Sequence, residues 1–81
     1  MKHYFCLSFQ GNLENIFGKE ICFELEECTR ISSIIEKILV EKKAGLSIND
    51  LLLTVNGRNI SLDEDTCSVS RVEVYRLLQG G

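Results

Sequence analysis

The 81-residue chain contains no proline and no tryptophan, one histidine and one methionine, and only six glycines. No apolar run approaches the roughly 20 residues needed to span a bilayer, so no transmembrane helix is expected. The first residues, Met1-Lys2-His3-Tyr4, lack a charged region followed by an apolar stretch and a small-residue cleavage site. A cytoplasmic location and no membrane association are therefore expected. A basic excess is also missing. Nine Lys and Arg stand against twelve Asp and Glu, a net charge of −3. Nucleic-acid binding by counterion release needs a basic face, so nucleic acid is excluded as an expected partner.

The single histidine, His3, has no neighbour in sequence with which to build a Ser-His or Cys-His pair. An autonomous enzyme is not expected, and no catalytic residue is assigned. Four cysteines, Cys6, Cys22, Cys28 and Cys67, are separated by fifteen, five and thirty-eight residues, with no CxxC knuckle. A structural zinc or iron–sulfur site has little support from such spacing, so no metal site is expected. In a reducing compartment the cysteines are expected to act as small, partly buried apolar residues rather than disulfides.

What is present is periodicity. From His3 to Gln10 the apolar residues Phe5, Leu7 and Phe9 alternate, and from Glu20 to Glu26 so do Ile21, Phe23 and Leu25. Both segments read as half-buried strands. Joined by a short connection, they pair antiparallel and bring Cys6 and Cys22 together as cross-strand neighbours on the outward face. Between them Leu13, Ile16 and Phe17 predict one turn of helix that plugs the core.

The period then changes. Ile31, Ile34, Ile35, Ile38 and Leu39 form one stripe of a helix, with Thr29 as its expected cap and Gly45 as its left-handed stop. Leu51 to Val55 is a strand, Asn56-Gly57 a hairpin turn and Arg58 to Leu62 the return arm. The last strand runs from Val72 to Leu77 and is expected beside the first, parallel to it. The fold class is α+β: a β-grasp roll whose mixed sheet packs on one helix. Residues 1–78 form a single domain, with a flexible Gly-Gly tail at 79–81.

A sheet covered on one face leaves the other for a partner. Leu52, Thr54, Tyr75 and Leu77 are expected there beside Arg58 and Arg76, with Leu78 next in the chain, forming a docking surface anchored by Tyr75. Gly80 and Gly81 form a thin strip without Cβ atoms that can thread a narrow channel and present a carboxylate. The plain alternative is a frayed terminus.

The FGKEICFEL stretch, the helix with Ile34-Ile35, the TVNG hairpin at Thr54–Gly57 and the terminal VEVYRLLQGG together resemble the MoaD/ThiS-type sulfur carriers, relatives of ubiquitin. The resemblance covers essentially the whole chain, and only the terminal Gly-Gly and the hairpin Asn-Gly are individually diagnostic. It implies a ubiquitin-like fold and a role as protein substrate. A ThiF/MoeB-like activating enzyme would adenylate Gly81, and sulfur would then give a thiocarboxylate that a sulfur-accepting synthase consumes. ATP and magnesium would belong to the activating enzyme, so this chain would bind no cofactor of its own.

The family often has Asp-Gly-Asp before the last strand, where this chain reads Val69-Ser70-Arg71. The prolines common before the tail of molybdopterin-synthase small subunits are missing. The first departure bears on the geometry of that loop, and the second favours a thiamin-type or general carrier over a molybdenum-cofactor subunit. Two other functions fit the same residues. One is a ubiquitin-like modifier conjugated to lysines through Gly81. The other is a β-grasp interaction module whose tail is incidental.

Overall fold

The alternation of large apolar residues at Phe5, Leu7 and Phe9 seats β1 (His3–Phe9) in the middle of the molecule, with all three side chains buried. In the computed structural model, which describes residues 2–77, it is followed by α1 (Leu13–Phe17), β2 (Glu20–Leu25) and α2 (Ile31–Glu41). A 3₁₀ turn at Ile48–Asp50 then leads to β3 (Leu51–Val55), β4 (Arg58–Asn59) and β5 (Arg71–Arg76). Leu78, Gly80, Gly81 and the expected boundary between a domain at 1–78 and a tail at 79–81 lie outside the described residues.

The five strands form one sheet in the order β2-β1-β5-β3-β4. β1 and β5 are parallel, as expected, and the other neighbours are antiparallel. The helix α2 lays Ile31, Ile34, Ile35, Ile38 and Leu39 on one face of this sheet, against Phe5, Leu7, Leu53, Val72 and Val74. Isoleucine is a modest helix former, so burial of this stripe rather than intrinsic propensity holds α2 in place. α1 is a single turn that closes one end of the core: Phe17 stacks on Phe9 with ring centroids 4.7 Å apart. Leu13 and Phe17 are buried, whereas Ile16, expected to help plug the core, stays at the surface.

Both ends of α2 differ from the sequence expectation, for identifiable reasons. Thr29 does not cap it. Its hydroxyl donates to the Glu27 carbonyl, and Arg30 occupies the cap position without a side-chain bond. The free N–H groups of Ile31 and Ser32 instead donate to the carbonyls of Glu64 and Leu62, so a distant loop satisfies the helix start. This also explains why β4 is shorter than the predicted arm at Arg58–Leu62. After Ile60 N–H donates to Leu53, the chain leaves the sheet to meet the start of the helix at Leu62 and Glu64.

At the other end, Lys43 N–H donates to Val40 and Ala44 N–H to Leu39, with Lys43 at φ 48°. That is a Schellman closure, and the left-handed stop is Lys43, two residues before the predicted Gly45. A left-handed lysine costs about 1–2 kcal/mol, against about 0.4–1 kcal/mol of extra unfolded-state freedom that glycine brings. Lys43→Gly is therefore expected to raise stability by about 0.5–1 kcal/mol, read from the midpoint of urea unfolding.

Candidate docking face and cysteine pairs

The antiparallel register of β3 and β5 sets Leu52 opposite Tyr75 and Thr54 opposite Glu73. Leu51, Leu53, Val72 and Val74 point to α2, so period two turns these four to the outer face. Leu52, Thr54 and Tyr75 surround a shallow depression of ≈ 470 Å³ together with Gly57, Asn59, Arg76 and Leu77. Tyr75 and Leu77 are 40% and 43% exposed, which makes them the accessible apolar part of this patch. Five residues expected on a docking surface, Leu52, Thr54, Tyr75, Arg76 and Leu77, are thus brought together.

Two of the expected residues behave differently. Thr54 is buried rather than presented, because its hydroxyl donates to the Glu73 carboxylate at 2.5 Å. It braces the face rather than offering contact. Arg58 pairs with Val55, whose side chain packs on the core side, so the hairpin register turns Arg58 away from Thr54. It lines a separate depression with Asn56, Ile60 and Val69. Asn59, paired with Thr54, takes the place expected for Arg58. The two-residue turn at Asn56-Gly57, with φ of 53° and 80°, fixes this register, so the exchange was legible in the turn chemistry.

The Thr54 hydroxyl, and secondarily backbone N–H groups of Gly57 and Asn56, hold the Glu73 carboxyl below the usual carboxylate range. In the loop before β5, the N–H groups of Cys67 and Ser68 do the same for Asp65. Both folded pKa values lie below their unfolded values, so both contributions are present above the unfolded pKa and lost as pH falls through the folded one. Stability is expected to decline on acidification below about pH 4. Glu73→Gln should make the thermal midpoint less sensitive to pH over that range.

All four cysteines are paired, contrary to the expectation of free apolar thiols: Cys6 with Cys22, and Cys28 with Cys67. The first pair sits at the cross-strand position that the alternation predicted, with Cα atoms 4.0 Å apart. The second had no signal in sequence. It forms because an isolated antiparallel bridge joins Arg30 to Asp65, and Cys28 and Cys67 face each other two residues further along it. Thr66, 2% exposed, knits the same region by accepting from Thr29 N–H at 3.1 Å and meeting His3 Nε2 at 3.0 Å. Glu20 stands beside the first pair and Asp65 beside the second, but sulfurs bonded to each other offer no thiolate to a metal. No helix among the described residues is long and apolar enough to cross a membrane.

No protein-family profile matches the sequence, and no curated protein does. Solved structures do match the architecture. SAMP1 from Haloferax volcanii superposes with a TM-score of 0.70 at 12% identity, over 98% of this chain and 100% of its own. A putative molybdopterin converting factor, subunit 1, from Pyrococcus furiosus gives 0.68 at 22% identity, over 93% and 98%. A second H. volcanii structure, of small archaeal modifier protein 1, gives 0.69 at 10% identity, again over 93% and 98%. At such identities the likeness establishes architecture, and the chain has the ubiquitin-like β-grasp fold.

Proposed function

We propose that this chain is a sulfur-carrier protein of the MoaD/ThiS type, a substrate and donor rather than a catalyst. The observation that carries the proposal is the outer face. On a β-grasp sheet it gathers Leu52, Tyr75 and Leu77 around one depression, and β5, on that face, is followed in sequence by Gly80 and Gly81. Similarity of fold to a putative molybdopterin converting factor subunit supports it. The face docks a ThiF/MoeB-like activating enzyme in the cytoplasm, with Tyr75 as the aromatic anchor.

The chemistry follows from the carboxylate. A carboxylate is a poor electrophile until a good leaving group is attached. An oxygen of the Gly81 carboxylate attacks the α-phosphate of ATP, pyrophosphate leaves, and the acyl-adenylate forms. Hydrosulfide, HS⁻, then attacks the acyl carbon, AMP leaves with the bonding electron pair, and the thioacid loses its proton. The resulting thiocarboxylate donates its sulfur to a synthase in thiamin-type or molybdopterin biosynthesis. ATP and Mg²⁺ are the activating enzyme's, and this chain binds neither.

A second use of the same activated tail, conjugation to lysines, is supported by the similarity of fold to small archaeal modifier protein 1. Both uses require the same docking. Tyr75→Ala and Leu52→Asp should each reduce ATP-dependent charging by the activating enzyme by roughly 10–30-fold, the effect of losing an interface anchor. The thermal midpoint of Tyr75→Ala should move little, since Tyr75 is 40% exposed. Unchanged charging in both variants would place the docking surface elsewhere.

A further inference from the structure

Strand β2 forms one edge of the sheet, and α2 crosses beside it, leaving an apolar groove of ≈ 470 Å³. Phe23, Leu25, Ile34 and Ile38 line it, with Lys37 and Glu41 at its side. Phe9 N–H donates to the Lys19 carbonyl, which fixes the phase of the β1–β2 ladder. In that phase Ile21, Phe23 and Leu25 exchange hydrogen bonds with β1, whereas Cys22 and Glu24 turn their N–H and C=O groups to the free edge. An unpaired backbone row above an apolar groove is a template for one more strand.

We propose that this edge docks an extended partner segment in which apolar residues alternate with lysine or arginine. Its backbone pairs with Cys22 and Glu24, one set of side chains drops onto Phe23, Leu25, Ile34 and Ile38, and the other lies over Glu24 and Glu26. The charge of the edge selects this occupant. Glu20, Glu24 and Glu26 are exposed along one side, and Lys2 and Arg71 already pair with Glu24 and Glu20 there. Glu26 has no ion-pair partner among the described residues. A second copy pairing through the same edge would set two glutamate rows against each other, which disfavours self-association. The site is separate from the Leu52–Tyr75 face, since β1 and β5 lie between β2 and β3.

The test titrates the full chain with a fluorescein-labelled octapeptide of alternating isoleucine and lysine. A second octapeptide carries glutamate in place of lysine. The lysine peptide should saturate and perturb backbone amide resonances at residues 20–26 and 33–41, and the glutamate peptide should bind at least about tenfold more weakly. Glu24→Pro removes an N–H that β1 does not use, so it should cost at least about tenfold in affinity without loss of folding. Should that variant fail to fold, the exposed double change Glu24→Lys with Glu26→Lys serves instead, and it should reverse the peptide preference. Equal or better binding of the glutamate peptide would overturn the proposal, as would failure to saturate or perturbations centred on Leu52 and Tyr75. A dimer of the free chain that Glu24→Pro dissolves would also overturn it, in favour of a second copy at this edge.

Discussion

Removal of Gly80 and Gly81 is expected to abolish ATP-dependent charging, with no adenylate detectable, while the chain keeps its fold. The buried apolar residues all fall between Phe5 and Val74, so none of the described core depends on the last two positions. The loss is complete because the reacting atom itself is gone or moved. Gly81→Ala is a finer probe. It keeps a carboxylate but adds a Cβ beside it, and a misplacement of about 1 Å at a reacting centre costs on the order of a hundredfold. Charging that survives removal of both glycines would show that Gly81 is not the activated residue.

The largest effect on stability is expected from the cysteines. The Cys28–Cys67 link spans 39 residues, and constraining an unfolded loop of that length is worth about 4 kcal/mol. The Cys6–Cys22 link spans 16, worth about 3 kcal/mol. A domain of this size has only about 4–12 kcal/mol of total stability, so each link is a large share. Replacing Cys28 and Cys67 by serine should lower the thermal midpoint by about 15–30 °C, and Cys6 with Cys22 by slightly less. Reduction of the wild-type chain with dithiothreitol should reproduce both losses together, and a midpoint indifferent to reductant would show that the links contribute little. The outcome also bears on location. Glutathione keeps most cytoplasmic thiols reduced, so a cytoplasmic carrier gains this stability only where the compartment lets the pairs stay oxidised.

How far the sequence carried the fold depends on where each element finds its partners. β1, β2 and β5 were legible because their apolar residues alternate, and α2 because its isoleucines fall on one stripe. In each case the pattern and the burial share a cause. The start of α2 was not legible. Its N–H groups are satisfied by Leu62 and Glu64, thirty or more residues away, and Thr29 looks like a cap only while those carbonyls are out of view. The stop at Lys43 was hidden for a local reason: glycine is the cheaper left-handed residue, and Gly45 stands two residues on. The Cys28–Cys67 pair depends on a two-residue bridge that has no periodicity to read.

The outer face of the sheet shows a similar division. Alternation alone turned Leu52, Tyr75 and Leu77 outward, and the structure gathers them. It failed at Thr54 because a cross-strand carboxylate, Glu73, draws the hydroxyl in and leaves the side chain buried. It failed at Arg58 because the hairpin register, which pairs Arg58 with Val55, turns that side chain to the other face. Asn59, which the register does place beside Thr54, is the residue that careful counting from the turn would have found.

The most direct test of a carrier whose terminal glycine is activated is intact-protein mass spectrometry of the chain isolated from its own cells. The account predicts a discrete pool in which sulfur replaces one oxygen of the Gly81 carboxylate, lost when the activating enzyme is deleted. A chain with only an unmodified carboxylate, together with no Gly-Gly remnant on any lysine, would contradict it.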